Sequence, residues 1–258
     1  MNENDQPTEN VQYFTALSDA QSAAYRMYSV EGAKSWLRIG SQYSPSIDIP
    51  QGFMYSFLGI VRVSIFGGVE NISDVAFKDA KNLKYFTATN VASIGDGVCS
   101  GLSPSVSASS LAEIVISGET EITIGNAFTN CLNVERVEVT APIVKSTVSF
   151  LDGTFRDCAK LAYANVSGAY RIGQNTFENC TALREVILPT TPMAAIATYA
   201  FYNCWLLEEI NIPAIEETIG NEAFYGCTNL RRITINMPEN SVDSAPWGAT
   251  NANVIWTG

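Results

Sequence analysis

The sequence predicts an α/β repeat solenoid, a right-handed coil with a short parallel β-sheet on one face and short helices on the other. Two observations lead to this fold class. A unit of about 23 residues recurs along most of the 258-residue chain, and a period of this length is typical of solenoid proteins. Within each unit the apolar spacing changes from the three-to-four-residue step of a helix to the two-residue step of a strand.

The repeat is clearest when the chain is aligned on a phenylalanine. The best copies are IGNAFTNCLNVERVEV (124–139), GTFRDCAKLAYANV (153–166), IGQNTFENCTALREVIL (172–188), YAFYNCWLLEEINI (199–212) and IGNEAFYGCTNLRRITI (219–235). Weaker copies precede them. The residues assigned to the phenylalanine position are Met54, Phe77, Val98, Phe128, Phe155, Phe177, Phe201 and Phe224, at spacings of 23, 21, 30, 27, 22, 24 and 23.

The spacing inside one unit predicts its local structure. In the last copy a series of apolar residues recurs at three-to-four-residue steps, which predicts one face of a short helix. The series is Ile219, Ala223, Phe224, Cys227 and Leu230. The following apolar residues, Ile233 and Ile235, alternate as in a strand. One unit cannot bury its apolar face alone, so we expect the units to stack around a continuous core beside a parallel sheet.

These residues resemble the BspA-like leucine-rich repeats, written loosely as I-G-x-x-A-F-x-x-C-x-x-L-x-x-I-x-I-P. The resemblance covers about residues 50–239, and five units carry the Phe-x-x-Cys-x-x-Leu/Val core. The family is known for surface-exposed and secreted proteins of bacteria and some protozoa that serve adhesion and binding. The resemblance therefore implies a non-catalytic interaction protein.

The two ends of the chain depart from the repeat. We expect residues 1–49 to form a tail and a helical cap, with Ser18 and Gln21 as a capping box at the start of a helix in LSDAQSAAYRMYSV. Residues 50–239 hold about eight repeat units, the first of them degenerate. Residues 240–258 are expected to close the array, with a turn at Pro246-Trp247-Gly248 and a last strand at 254–256. An independent N-terminal binding module remains the alternative to a cap.

Composition excludes several classes of function. The net charge of −11 disfavours nucleic acid and anionic lipid as partners, and no apolar stretch is long enough for membrane insertion. The chain has no histidine, which removes the commonest general base and His-ligated metal sites. No nucleophile motif or phosphate loop is present, so we expect no enzyme activity, no cofactor and no metal.

Five of the six cysteines occupy one repeat position on the apolar face: Cys131, Cys158, Cys180, Cys204 and Cys227. Their spacing matches no zinc pattern. We expect them to be buried free thiols that act as small hydrophobic residues. Cys99 falls out of register and is expected to be the most exposed of the six.

The strand positions predict the candidate binding surface, because alternate residues of a strand point outward. One outward row reads Arg62, Tyr85, Glu113, Arg136, Tyr163, Glu185, Glu209 and Arg232, and the next contains Ile187. Eight strands would give a surface roughly 35 Å long. The proposed ligand-binding residues are Arg62, Tyr85, Glu113, Arg136, Tyr163, Glu185 and Ile187. Two alternatives stay open: charge pairs such as Glu113–Arg136 and Glu209–Arg232 that serve only the sheet, and a site flanked by the insertions at 103–109 or 141–149.

Three functions fit these features. The first is a secreted or surface-attached bacterial protein that binds a protein or glycan on a cell surface. The second is a structural or receptor-binding part of a phage or prophage particle, located in the virion. The third is an accessory module of a polysaccharide-acting system, which would need more aromatic platforms than the two tyrosines of the strand face. Residues 2–10, NENDQPTEN, are not a signal peptide, so an extracellular location requires an export signal that was removed.

Overall fold

The structure is a computed structural model that describes residues 11–14, 35–40, 47–55, 59–100, 110–119, 122–140 and 152–258. The predicted N-terminal helix and both insertions lie outside these residues.

The described residues form short strands joined by turns. In chain order the strands are β1 (Val11–Phe14), β2 (Ser35–Ile39), β3 (Ile47–Ile49), β4 (Ile60–Ile65), β5 (Val69–Ile72), β6 (Tyr85–Thr89), β7 (Ser93–Ile94), β8 (Glu113–Ser117), β9 (Thr123–Ile124), β10 (Arg136–Val139), β11 (Tyr163–Asn165), β12 (Arg171–Ile172), β13 (Glu185–Ile187), β14 (Met193–Ile196), β15 (Glu209–Ile212), β16 (Ile215–Ile219), β17 (Arg232–Ile235) and β18 (Asn253–Trp256).

These strands build a parallel β-solenoid. The main sheet has the order β1-β2-β4-β6-β8-β10-β11-β13, and β15-β17-β18 form a separate three-stranded sheet. The shorter strands make a second layer, in the orders β3-β5-β7-β9 and β12-β14-β16. All the strand pairs are parallel, as in Arg136 with Tyr163 and Glu209 with Arg232. The predicted parallel sheet is therefore present, and β1 and β2 continue it into the segment assigned to a cap.

The predicted short helices are wrong: the described residues contain turns where the helices were expected. The residue two positions after each phenylalanine has a positive φ near 60–80°, which no α-helix tolerates in its interior. These residues are Asp79, Asn130, Asp157, Asn179, Asn203 and Gly226. A second set with positive φ, two positions before the phenylalanine position, includes Val75, Gly153, Asn175 and Tyr199. In the units that have both, two left-handed residues four positions apart limit the chain between them to consecutive tight turns.

Polar side chains connect the turns of successive units. The Asn203 amide donates to Asn179 Oδ1 at 3.0 Å, and the Asn179 amide donates to Asp157 Oδ1 at 2.8 Å. The coils also approach closely, because a Cβ on Gly220 would lie 2.4 Å from the Thr198 backbone nitrogen. The repeated Asn and Gly positions therefore have local structural causes.

The phenylalanine position forms the centre of the core, as predicted. The rings of Phe128, Phe155, Phe177, Phe201 and Phe224 are fully buried and stack in sequence, with centroids 5.2–5.8 Å apart. Stacked or offset ring pairs contribute about 0.5–1.5 kcal/mol each beyond the burial of their area. This continuous stack ties each unit to the next.

The five aligned cysteines are buried, as predicted, and all six cysteines are free thiols. Each aligned thiol donates to the backbone carbonyl at the phenylalanine position of the preceding unit. The Sγ–O distances are 3.4 Å for Cys158 with Phe128, 3.2 Å for Cys180 with Phe155 and for Cys204 with Phe177, and 3.0 Å for Cys227 with Phe201. The cysteine is therefore a hydrogen-bond donor between coils as well as a small apolar residue.

Two predictions about the third unit are wrong. Cys99 is 2% exposed, and it, rather than Val98, occupies the phenylalanine position. The Cys131 thiol donates to the Cys99 carbonyl at 3.1 Å, which is the bond that phenylalanine carbonyls accept elsewhere. Phe86 of β6 lies between Phe77 and Phe128 in the ring series, at 6.1 and 5.5 Å. The strand phenylalanine thus takes the place of the missing ring.

The C-terminal segment continues the coil with a further turn and strand. Trp247 is fully buried in the predicted turn and donates from Nε1 to the Asp243 carbonyl at 2.7 Å. Its ring meets that of Trp256 edge-on at 6.3 Å. The predicted last strand is present as β18, paired with β17.

Candidate binding surface

The outward side chains of the main sheet form one continuous row, here called the strand face. Neighbouring strands pair in the order Trp36, Arg62, Tyr85, Glu113, Arg136, Tyr163 and Glu185. The structure therefore brings six of the seven predicted ligand-binding residues into a single row. The seventh, Ile187, lies two residues beyond Glu185 on the same strand and is 37% exposed. Trp36 had been assigned to the cap and extends the row by one aromatic residue.

Two arginine–tyrosine contacts give the row its geometry. The Arg62 guanidinium lies 4.2 Å from the centroid of the Tyr85 ring, and that of Arg136 lies 4.0 Å from the Tyr163 ring. Arg62 also approaches the Trp36 ring at 5.2 Å. Such contacts contribute about 0.5–1 kcal/mol at exposed sites. The side chains of the row are therefore held in place before any partner binds.

Outward-facing arginines of the strands also form ion pairs with neighbouring carboxylates. Arg136 Nε lies 4.0 Å from Glu113, and Arg136 also forms an ion pair with Glu138. Partial burial opposes the charged guanidinium, but the hydrogen bond and the charge of Glu138 raise the pKa of Arg136. Arg232 contacts Glu209 at 3.0 Å. The predicted cross-strand pairs are confirmed, and the charges of the strand face are largely balanced.

The strand face is interrupted between β13 and β15. At other joints of the coil a backbone N–H just before one strand donates to the matching carbonyl of the previous unit, as in Lys84 to Val61, Glu135 to Ala112, Arg184 to Ala162 and Arg231 to Glu208. Among the residues described, the equivalent bond from Glu208 to Arg184 is absent, and β13 and β15 belong to different sheets. The second layer and the phenylalanine stack remain continuous here.

Proline occupies the strand-ending position on both sides of the interruption. At the end of β17 the Asn236 amide donates to the Ile212 carbonyl at 3.0 Å. The residue in that repeat position after β15 is Pro213, and after β13 it is Pro189. Proline has no N–H, so it cannot form this bond in either unit. The ladder thus loses its terminal hydrogen bond twice in succession.

The interruption opens a cavity of about 950 Å³, which we call the joint cleft. Its wall on one side includes Arg184, Glu185 and Ile187, and its wall on the other includes Glu209 and Arg232. Val186 is half-buried, whereas its equivalents Ile210 and Ile233 are buried. The cleft therefore exposes apolar surface and unpaired strand edges between charged rims. Sequence reasoning missed the cleft, although successive strand-ending prolines were its signal.

Within the described ranges, no group of three or more Cys, Asp or Glu residues could hold a metal ion. The part of the chain that the structure describes contains no helix with the length and hydropathy of a membrane span.

Repeat length, stacked phenylalanines and parallel strands define a leucine-rich-repeat solenoid. A family model described as "BspA type Leucine rich repeat region (6 copies)" matches residues 49–162 and 148–251. The chain therefore belongs to the BspA-type leucine-rich-repeat family. No curated protein sequence matches it significantly.

Several solved structures are similar to this chain. The chain of the TLR13–ssRNA13 complex is 15% identical with a TM-score of 0.47, and the alignment covers 96% of this chain but 39% of that one. A leucine rich cell surface protein from Faecalibacterium prausnitzii A2-165 is 18% identical with a TM-score of 0.36, covering 96% of this chain and 83% of its own. A leucine-rich repeat protein from Bacteroides ovatus ATCC 8483 is 16% identical with a TM-score of 0.36, covering 87% and 83%. At these TM-scores the likenesses carry no functional argument.

Proposed function

We propose that this protein is a non-catalytic interaction protein that binds another protein through its strand face. The observation that carries the proposal is the joint cleft, which places half-buried Val186 and exposed Ile187 beside the row that ends at Glu185. Protein interfaces use an apolar anchor site surrounded by aromatic, arginine and charged residues. The strand face supplies both parts on a rigid scaffold.

Preorganisation supports the same proposal. Arg62, Tyr85, Arg136 and Tyr163 are already paired in the free protein, so binding would order few additional side chains. Less ordering means a smaller entropic cost of association. The lack of histidine, together with the absence of a nucleophile motif, argues for recognition without catalysis.

We place this function outside the cell or on the cell surface, in keeping with the resemblance of the repeat to secreted bacterial proteins. A protein partner of this acidic chain would carry complementary positive charge at the rim of its contact surface.

Site-specific photo-crosslinking tests the proposal. A photoreactive amino acid replaces Ile187 at the joint cleft, and the matched control carries it at Asn221, an exposed position in a turn. Incubation with a surface-protein fraction should give a defined crosslinked partner from position 187 and none from 221. Equal crosslinking from both positions, or from 221 alone, would contradict binding at the strand face.

A further inference from the structure

Three tyrosines, two half-buried and one exposed, form a cluster on the turn side of the seventh and eighth units, away from the strand face. The rings of Tyr202 and Tyr225 stack in parallel with centroids 5.6 Å apart, and Tyr199 meets Tyr202 edge-on at 5.4 Å. Trp205 follows in the same turn as Tyr202. Tyr225 is 51% exposed and Trp205 is 50% exposed. We call these four residues the turn-side aromatic patch.

The repeat does not require these rings. The position after the phenylalanine holds Lys78, Thr129, Arg156 and Glu178 in earlier units, and the position after the cysteine holds Thr181 and Thr228 in the neighbouring units. Small or charged residues therefore satisfy the fold at both places. Tyr225 and Trp205 nevertheless expose about half of their surface to water, which marks a site of interaction.

The rings are held in fixed orientations. The Tyr199 hydroxyl is hydrogen-bonded to Glu222, and this bond raises the pKa of Tyr199. The Tyr202 and Tyr225 rings hold each other by stacking. Gly248, which has no side chain, lies against the backbone of Tyr225 in the next coil. The Tyr225 side chain remains 51% exposed beyond this stack.

Charge restricts the ligand. Glu222 is hydrogen-bonded to Tyr199 within the patch, and Glu178 precedes Tyr202 at the same repeat position, whereas no lysine or arginine occurs between Glu185 and Leu230. Sulfated or uronic-acid glycans and phosphates would be repelled there. A cation is held best by rings that face it from several sides, whereas Tyr202 and Tyr225 cover each other and leave a single face. A protein hot spot needs an enclosed pocket, which a patch on outward-facing turns lacks.

We propose that the turn-side aromatic patch binds a neutral oligosaccharide. The apolar C–H face of a pyranose ring packs on the open faces of Tyr225 and Trp205. Its hydroxyls donate to the carboxylate of Glu222, which lies three residues before Tyr225 and is hydrogen-bonded to Tyr199. This site is separate from the strand face and does not depend on the function proposed for it.

Affinity electrophoresis tests the proposal in gels that contain a soluble β-glucan, a galactomannan or an arabinoxylan. At least one of these neutral polysaccharides should retard the protein, equally at 50 and 500 mM salt. The variant Tyr202→Thr/Trp205→Thr/Tyr225→Thr should lose at least tenfold in affinity. Threonine occurs at these repeat positions in other units, so folding is expected to survive, and Trp205→Thr alone should lose affinity partially.

The matched control is Tyr55→Thr, which changes a tyrosine that is 49% exposed at the same repeat position in the first unit. It should be retarded like the unchanged protein, as should a variant altered only on the strand face. The proposal is overturned if no neutral polysaccharide retards the protein, or if the triple variant is retarded equally. Salt-sensitive binding of poly-lysine alone would also overturn it, and would indicate a basic protein partner instead.

Discussion

The thiol of Cys204 donates a hydrogen bond of 3.2 Å to the carbonyl of Phe177 in the preceding unit. Cys204→Ala removes this bond and leaves a small void, so we expect a loss of about 1–2 kcal/mol in the free energy of unfolding. Urea denaturation measures it. Ala80 occupies the cysteine position in the second unit, which shows that alanine is compatible with the fold. A loss no larger than that of an exposed Thr228→Ala would contradict the role of the thiol.

Burial raises the pKa of five thiols, and that of Cys158 reaches about 12; the five are Cys99, Cys131, Cys158, Cys180 and Cys204. An unfolded thiol ionises near pH 8.5, so the folded state keeps protons that the unfolded state loses. Stability from the thiols is therefore complete below about pH 8.5 and decreases above it, by about 1.4 kcal/mol per pH unit for each thiol. Thermal melts in reductant should shift steeply downward between pH 8.5 and 10. Cys180→Ala should make the decrease of the melting temperature with pH less steep.

Thiol labelling checks the burial of the same residues. Because Cys99 and the five aligned cysteines are all buried, a maleimide should modify none of them in the native protein and all six after denaturation. Mass spectrometry counts the labels. Rapid modification of Cys99 alone would show that Cys99 is exposed, as the sequence predicted. It would contradict the placement of Cys99 at the buried phenylalanine position.

The left-handed turn residues allow a test of why the turns do not become helices. Asn179 has a φ of 59° and links Asp157 to Asn203. Asn179→Ala should cost about 2–3 kcal/mol, since it adds backbone strain to the lost side-chain bonds. Asn179→Gly should cost less, because glycine adopts this φ without strain, as Gly226 does at the same position. Chemical denaturation measures the free energy of unfolding of both variants. An equal loss in the two would contradict the contribution of backbone strain.

The missing backbone hydrogen bonds between β13 and β15 should be detectable by amide hydrogen exchange. The amide of Arg232 donates to the Glu208 carbonyl, whereas the equivalent amide of Glu209 faces the interruption between β13 and β15. We expect Glu209 to exchange at least tenfold faster than Arg232 in NMR-detected exchange. Similar protection of the two amides would mean that β13 and β15 are paired in solution.

The sequence predicted the stacking of units, the buried phenylalanines and the register of the strand face, because apolar periodicity controls all three. It did not predict the turns, since the three-to-four-residue spacing of Ala223, Phe224 and Cys227 fits a helix and a pair of tight turns equally well. The Asn, Asp or Gly two residues after each phenylalanine was the missed signal. Cys99 was misplaced because Val98 is the more apolar of two adjacent residues.

The candidate site was predictable in part. Strand alternation placed Arg62, Tyr85, Arg136 and Tyr163 in one row. Their mutual stacking required knowledge of side-chain geometry. The joint cleft coincides with strand-ending prolines in two successive units, Pro189 and Pro213. Their shared repeat position is evident only when the two units are aligned. The turn-side aromatic patch was not predicted, because its rings lie on turns and strand alternation identifies only the outward residues of strands.

Folding of the strand-face variant Tyr85→Ala/Arg136→Ala/Tyr163→Ala should be nearly unaffected. Its side chains point away from the core, with Arg136 exposed and Tyr85 and Tyr163 half-buried, so we expect the free energy of unfolding to fall by less than about 2 kcal/mol in total. Circular dichroism and urea denaturation measure the loss. A larger loss would show that these residues serve the sheet itself.

The affinity of this same variant for the partner crosslinked at position 187 tests the central claim most directly. Titration calorimetry should show at least a tenfold weaker dissociation constant than that of the unchanged protein, while the control Tyr55→Thr binds normally. An unchanged dissociation constant in the folded variant would contradict binding at the strand face.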